Sequence, residues 1–303
     1  MTKAKIEKIS LNTFFISLVP PMEGFENYIG VWVKTGNPAY IIDVGPAATI
    51  QYLKDALDEI NVRELDYIFI THIHIDHAGG IGDFSKFFPK TPIICHKAAI
   101  PHLIDPARLW EGSLTTLGDM ARAYGPIIGV SEKLLVDADH FVHKAVVPII
   151  TAGHAPHHVS YMTPDCLFAG ETSGVHLKLS SGHDYLRPAT PPKFFLETLL
   201  KSIDLLIEQN PEKICFGHYG MENDGINWLN AHKYQLILWK DVIRDEMKRA
   251  GSDDFFLSCI DRLKREDPHL KHFDLLNAGE KERETYFIAS SIKGYKEYLE
   301  AVL

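Results

Sequence analysis

Thr71-His72-Ile73-His74-Ile75-Asp76-His77-Ala78-Gly79-Gly80 places four metal-ligand side chains, His72, His74, Asp76 and His77, within six positions. It follows Tyr67-Ile68-Phe69-Ile70, an apolar run that reads as a buried strand. Alternate side chains of extended backbone share a face. His72, His74 and Asp76 are therefore expected to point one way, with Ile73 and Ile75 pointing into the protein. His77 breaks the alternation, which predicts a turn, and Gly79-Gly80 lets the chain leave sharply. A solvated loop is the competing reading. The interleaved isoleucines argue for partial burial, and burying several titratable groups is costly unless they are paired or metallated. Imidazole and carboxylate together suit zinc, iron or manganese.

Outward from this stretch, other apolar runs also end in candidate ligands. Val146 to Ile150 reads as a second buried strand and empties into Thr151-Ala152-Gly153-His154-Ala155-Pro156-His157-His158. Leu167-Phe168-Ala169-Gly170 ends in Glu171, and Ile214-Cys215-Phe216-Gly217 ends in His218. Two Thr- and His-bearing loops after buried strands suggest a duplicated layout that brings both loops to one rim. Upstream, Phe14 to Val19, Tyr28 to Lys34 and Tyr40 to Val44 read as strands, with Gly36-Asn37-Pro38 as a hairpin turn. Asp43 ends the third. Ile50, Leu53, Leu57 and Ile60 have helical spacing, and Pro92 to Cys95 reads as a further buried strand. His96 to Gly129 mixes helix and loop. His176 to Arg187 reads as a loop covering the site. Thr190-Pro191-Pro192 reads as a helix start, with Phe195, Leu196, Leu199, Ile203 and Leu206 as its apolar face.

From about Trp228 the pattern is helical only. Three apolar sets are expected to pack on the main body: Ile237, Leu238, Val242 and Met247; Phe256, Cys259, Ile260 and Leu263; Ile288, Ile292, Tyr295, Leu299 and Val302. The expected division is a domain over residues 1–230 and a helical extension over 231–303.

Composition narrows the function. The 303 residues carry a net charge of -9, with Lys and Arg scattered, which argues against a nucleic-acid surface. No run approaches the roughly 18 apolar residues a membrane span needs, and the N-terminal segment makes a poor signal peptide. Cys95, Cys166, Cys215 and Cys259 form no CxxC and read as core residues of a reduced, cytoplasmic protein. The expected partner is a small-molecule substrate, with no nucleic acid and no membrane; a homodimer is left open.

At His72 to His77 the chain resembles the metallo-β-lactamase-fold hydrolases. Thr71–Gly80 matches the T-H-x-H-x-D-H-x-G-G motif fully. Asp43-Val44-Gly45 is similar to that family's first acidic strand end, and Gly153-His154 and Gly217-His218 match two later motifs in order and spacing. The resemblance covers roughly residues 8 to 225. It implies an α/β (α+β) fold, a four-layer αββα sandwich, here with the C-terminal helical extension. It implies two divalent metal ions, Zn with Fe or Mn as alternatives: His72, His74 and His154 on the first, Asp76, His77 and His218 on the second. Glu171 stands where the family usually has a bridging Asp; its longer side chain leaves open a bridge, a contact to one metal only or a weakened second site, with a capping or surface glutamate as the competing reading.

Such metals generate a hydroxide nucleophile near neutral pH and polarise a carbonyl. Asp76, or the carboxylate at the bridging position, would act catalytically, orienting the nucleophile and passing a proton to the leaving group; Asp43 would orient the ligand loop. His158 would orient a ligand and His157 would face the substrate; the equal alternative for each is a satisfied polar residue on a loop. The expected reaction is hydrolysis of a small ester, lactone or thioester, as in lactonases and hydroxyacylglutathione hydrolases. Tyr28, Trp110, Tyr161, His183, Tyr185 and Tyr219 are expected to border the site. The alternatives are a mononuclear non-haem iron oxidoreductase of the persulfide dioxygenase type and a non-catalytic metal-binding protein.

Overall fold

The computed structural model describes residues 3–179, 181–249 and 255–302. It divides into two compact units. One holds everything described up to Ile150, together with His157–Pro164. The other holds Thr151–Pro156 and everything described from Asp165 onward.

The first unit is built on a seven-stranded sheet whose spatial order is its chain order. Its strands are β1 (Ala4–Lys8), β2 (Thr13–Leu18), β3 (Ile29–Lys34), β4 (Tyr40–Ile42), β5 (Tyr67–Phe69), β6 (Ile93–Cys95) and β7 (Leu135–Asp137). The first four meander antiparallel. β4 to β7 run parallel, and parallel strands need crossovers. Helices supply them: α1 (Ile50–Glu59) between β4 and β5, α2 (Ile75–Ala78) and α3 (Ile81–Phe87) between β5 and β6, and α4 (Ile100–Ile104), α5 (Ala107–Leu117) and α6 (Asp119–Tyr124) before β7. Tyr40-Ile41-Ile42 and Ile93-Ile94-Cys95 are buried throughout, the continuous apolar signature of strands covered on both faces.

A hairpin of β8 (Val147–Ile150) and β9 (Val159–Met162) completes this unit. β8 is not the buried strand its composition suggests. Val147 is 50% exposed and the rest of the strand is half-buried. Pro148 has no N–H to give a ladder, which confines it to an edge. Tyr161 on β9 is fully buried among the strands, its hydroxyl 2.7 Å from the Ile70 carbonyl and 3.1 Å from that of Ile94.

The second unit pairs β10 (Leu167–Gly170) parallel with β13 (Lys213–Phe216), and β13 antiparallel with β14 (Met221–Asn223). Between β10 and β13 come a separate hairpin, β11 (Val175–Lys178) with β12 (Asp184–Arg187), and α7 (Leu196–Glu208). The hairpin replaces the covering loop expected over His176 to Arg187. Its alternation is masked because one inward residue is a charge, Arg187. α7 begins at Leu196, later than Pro191-Pro192 suggests, and Phe195 at its N-cap is 59% exposed. Leu196, Leu199, Ile203 and Leu206 form its buried stripe.

The tail is helical: α8 (Gly225–Arg249), α9 (Phe255–Glu266) and α10 (Ala278–Val302). α8 runs unbroken through position 230. Its buried stripe is Leu229, His232, Leu236, Trp239, Ile243 and Glu246, so Ile237, taken as apolar face from the sequence, is 39% exposed. Phe256 and Val302 likewise lie outward. Two buried acids tie the helices in. Asp267 accepts from Gln235 Nε2 and Trp239 Nε1, both at 2.7 Å. Glu284 on α10 accepts from Arg187 Nε, from Arg283 Nε at 2.8 Å and from the Tyr185 hydroxyl at 3.0 Å. Burial alone would raise the Glu284 pKa, but the two guanidinium groups outweigh it and hold the carboxyl at about 2. Tyr185 is therefore a core residue, not a site border. Among the described residues no helix is long and apolar enough to cross a membrane.

Candidate metal centre

Both units use one device. Two neighbouring parallel strands end side by side, and the residues just past their carboxyl ends carry the chemistry, where open α/β sheets bind ligands. In the first unit Ile42 of β4 pairs with Phe69 of β5, so Asp43 lies beside Thr71. In the second, Gly170 of β10 pairs with Phe216 of β13, so Glu171 and His218 emerge together.

In the first unit Asp43 organises the loop. It adopts a φ of 60°, a left-handed conformation that Asp tolerates better than most residues. Its Oδ1 accepts from the Thr71 backbone N–H at 2.8 Å. Its Oδ2 accepts from the Thr71 hydroxyl at 2.8 Å and from His77 Nδ1–H at 2.9 Å. With Nδ1 protonated, the lone pair of His77 is on Nε2, 3.9 Å from Asp76 Oδ2. The Thr71 hydroxyl, having donated to Asp43, accepts from His72 Nδ1–H at 3.0 Å. That puts the lone pair of His72 on Nε2 as well, and this atom lies 2.9 Å from His74 Nδ1. Two nitrogens bound to one tetrahedral zinc at about 2.0–2.1 Å would sit roughly 3.3 Å apart, so this pair converges as an edge of a coordination shell does.

Ile73 and Ile75 are buried, each 2% exposed, as their alternation predicts. The extended run stops at His74, however. The N–H groups of His77 and Ala78 both bond to the His74 carbonyl and close the short helix α2, so Asp76 projects from a helical turn. The Val44 and Gly45 amides hold the His77 carbonyl at 2.9 and 3.0 Å, which explains why the chain bends there. His158 is fully buried and its ring stacks on that of His72 at 5.1 Å. His157 is half-buried and meets His74 edge-on at 6.3 Å.

In the second unit His154 donates Nδ1–H to the Ala189 carbonyl at 2.7 Å, which a carbonyl permits only in that direction. Its Nε2 then faces Glu171 Oε2 at 2.8 Å. The other carboxylate oxygen, Oε1, lies 3.1 Å from His218 Nε2. Burial would raise the Glu171 pKa, but His154 and His218 outweigh it and hold the carboxyl well below the usual carboxylate range. One acid thus presents a separate oxygen to each of two imidazoles.

The donor set fits divalent metals. The ring nitrogens of His72, His77 and His154 that are not engaged by Thr71, Asp43 and Ala189 are the ones a metal would take, displacing any proton held there, and each engaged nitrogen has the kind of outer partner that metal-ligating histidines use. Cysteine does not compete as a nucleophile. Burial pushes the Cys95 and Cys259 thiols up to about 12, and all four cysteines are buried. Of the expected border residues, Tyr161 and Tyr185 are core. Tyr28 is buried at 2% exposure.

The comparisons with known proteins bear on family and fold. Residues 25–218 match the model of the Metallo-beta-lactamase superfamily, well over half the chain, and the chain belongs to that superfamily. It is 27% identical over 237 residues to the metallo-beta-lactamase fold-containing protein ST1585 of Sulfurisphaera tokodaii, covering 73% of this chain and 83% of that protein. It is 24% identical over 266 residues to the hydroxyacylglutathione hydrolase of Vibrio campbellii, covering 80% and 90%. Among solved structures, ST1585 from Sulfolobus tokodaii superposes with a TM-score of 0.64 at 22% identity, over 92% of this chain and 97% of that one. The metallo-beta-lactamase family protein TTHA1429 from Thermus thermophilus gives 0.60 at 16% identity, over 90% and 88%. The fold is thus of the α/β metallo-β-lactamase class with a helical C-terminal region, and its candidate metal-binding residues include those the motif marks.

Proposed function

We propose that this chain is a metal-dependent hydrolase of a small ester, lactone or thioester. His72, His74, Asp76, His77, His154, Glu171 and His218 serve two divalent metals, zinc in the first instance. The observation that carries this reading is Glu171, whose two oxygens are divided between His154 and His218 at 2.8 and 3.1 Å. A carboxylate so divided would help hold metal beside either imidazole. Bound metals of this kind acidify water and polarise a carbonyl. The chain's own residues do the rest. Asp43 and Thr71 fix the tautomers of His77 and His72. His158 fixes the plane of His72. Asp76 has a carboxylate 16% exposed; it takes the proton of the attacking water and returns it to the leaving oxygen or sulfur. Kinship with a hydroxyacylglutathione hydrolase favours an acyl-bond substrate over a phosphodiester, as does the net charge of -9.

The test is metal analysis and a panel of esters, lactones and thioesters on one purified sample. Two metals per chain with turnover of an acyl substrate is the expected result. One iron per chain, with oxygen consumed on glutathione persulfide and no hydrolysis, would overturn the proposal in favour of the oxidoreductase.

A further inference from the structure

His218 lies on the tight turn Gly217-His218-Tyr219-Gly220 between β13 and β14, closed by the Phe216 N–H bonding to the Gly220 carbonyl at 3.1 Å. Gly220 has a φ of 88°. At such a position glycine permits the preceding peptide to take more than one orientation, so a turn of this sequence does not by itself fix where its side chains point. The β11–β12 hairpin adds a restraint from behind the turn. His176 on β11 is fully buried, stacked on Phe216 at 4.4 Å and edge-on to Trp228 at 5.1 Å. Its Nδ1 lies 3.0 Å from the Tyr219 carbonyl. A carbonyl only accepts, so Nδ1 carries a proton and donates. The opposite nitrogen, Nε2, lies 3.0 Å from Asp184 Oδ1 on β12. Burial notwithstanding, bonds from His176 and Lys178 lower the Asp184 carboxyl to about 2. Lys178 also reaches Glu222 Oε1 on β14 at 3.1 Å, and His272 Nδ1 donates to the Asp184 backbone carbonyl at 2.7 Å. The hairpin is therefore anchored behind the ring and grips the ligand turn in front of it.

We propose that His176, backed by Asp184, is a positioning residue for the metal centre: it clamps the carbonyl one residue past His218 and so fixes the turn that aims that ligand. This rests on the reading that His218 binds metal. Motif matching does not find His176, because it lies outside the family motifs; the strand alternation Val175-His176-Leu177-Lys178 is its only trace.

The test compares His176→Phe, which keeps the stacking ring but has no nitrogen, with His176→Asn, whose amide N–H can again reach the Tyr219 carbonyl. Zinc affinity is measured by chelator competition. The visible spectrum is recorded after cobalt(II) loading, and thermal unfolding is followed on metal-free protein. His176→Phe is expected to lose about 10–100-fold in zinc affinity, the usual effect of removing an outer-shell partner, with a changed cobalt spectrum. His176→Asn is expected to recover most of both, at a metal-free unfolding midpoint similar to that of His176→Phe. Wild-type affinity and spectrum in His176→Phe would overturn the proposal, and so would equal losses in the two variants. His218→Ala separates the two readings. If it keeps full zinc affinity, the ligand assignment fails and the proposal with it. If it loses zinc while His176→Phe does not, only the positioning role fails.

Discussion

Asp43→Asn tests how the centre is organised. Asn tolerates the left-handed backbone at this position, so the fold is expected to survive. The Thr71 backbone N–H can only donate, so the amide oxygen must take the place of Oδ1, leaving the amide NH2 where Oδ2 now accepts from Thr71 and His77 at 2.8 and 2.9 Å. The Thr71 hydroxyl can turn to accept. His77 can accept at Nδ1 only by moving its proton to Nε2, the nitrogen a metal needs. The flipped amide fares no better, because it sets donor against donor at a cost of about 1–3 kcal/mol. Zinc affinity should fall about 10–100-fold, or roughly 1.4–2.8 kcal/mol. Metal-free stability should fall by about 1–3 kcal/mol as charge-assisted bonds become neutral ones. Chelator competition measures the first and urea unfolding the second, while nitrogen NMR of the His77 ring reports the tautomer directly. A variant with wild-type zinc affinity, its His77 proton still on Nδ1, would refute the reasoning.

Other perturbations probe different parts. Glu171→Asp shortens the side chain by about 1.5 Å, too much to keep both contacts at 2.8 and 3.1 Å. Metal content should drop, and a rise would show that the longer acid is not adapted to its place. Gly153→Ala puts a Cβ 2.5 Å from the Leu199 Cα at a φ of 144°. It should cost about 1–3 kcal/mol or more in urea unfolding and weaken zinc binding through His154; an unchanged midpoint would contradict the packing. Glu284 has a carboxyl lowered from 4.5 to about 2, so it contributes roughly 3 kcal/mol of stability. That contribution is complete above about pH 4.5 and lost as pH falls toward 2. The stability advantage of wild type over Glu284→Gln should shrink across that window, and a constant advantage would refute the ion-cluster account. His232 is lowered to about 4 by burial, and NMR titration of its ring should find it neutral at pH 6; a midpoint near 6.5 would place the ring in water.

The candidate metal-binding residues were visible in the sequence because most follow a short buried apolar strand, and because the motif from Thr71 to Gly80 is dense. Ile73 and Ile75 show their burial by simple alternation. The β11–β12 hairpin was hidden by Arg187, a buried charge neutralised by Glu284 on α10, and no local window holds both. Asp76 left the strand because amides from Val44 and Gly45 pull on the His77 carbonyl, a long-range bond that period-two reasoning cannot see. Tyr161 and Tyr185 resembled pocket aromatics, yet each buries its hydroxyl against a specific acceptor: backbone carbonyls for the one and Glu284 for the other. In α8 the fully buried Trp239 rotates the helix away from the stripe that hydrophobicity alone would choose.

The path of the chain between the two units has a consequence for synthesis. It passes out of the first unit at Thr151, returns at His157 and leaves again at Asp165. The six residues from Thr151 to Pro156 carry His154, whose partners Glu171 and the Ala189 carbonyl are both made later. On a ribosome adding about 5–20 residues per second, His154 waits several seconds without its seat, while the loop from His72 to His77 already has Asp43 and Thr71. A nascent chain ending at residue 164 would carry Asp43, Thr71 and His77 together and neither Glu171 nor Ala189. The two clusters therefore become complete at different times, that of the first unit before that of the second.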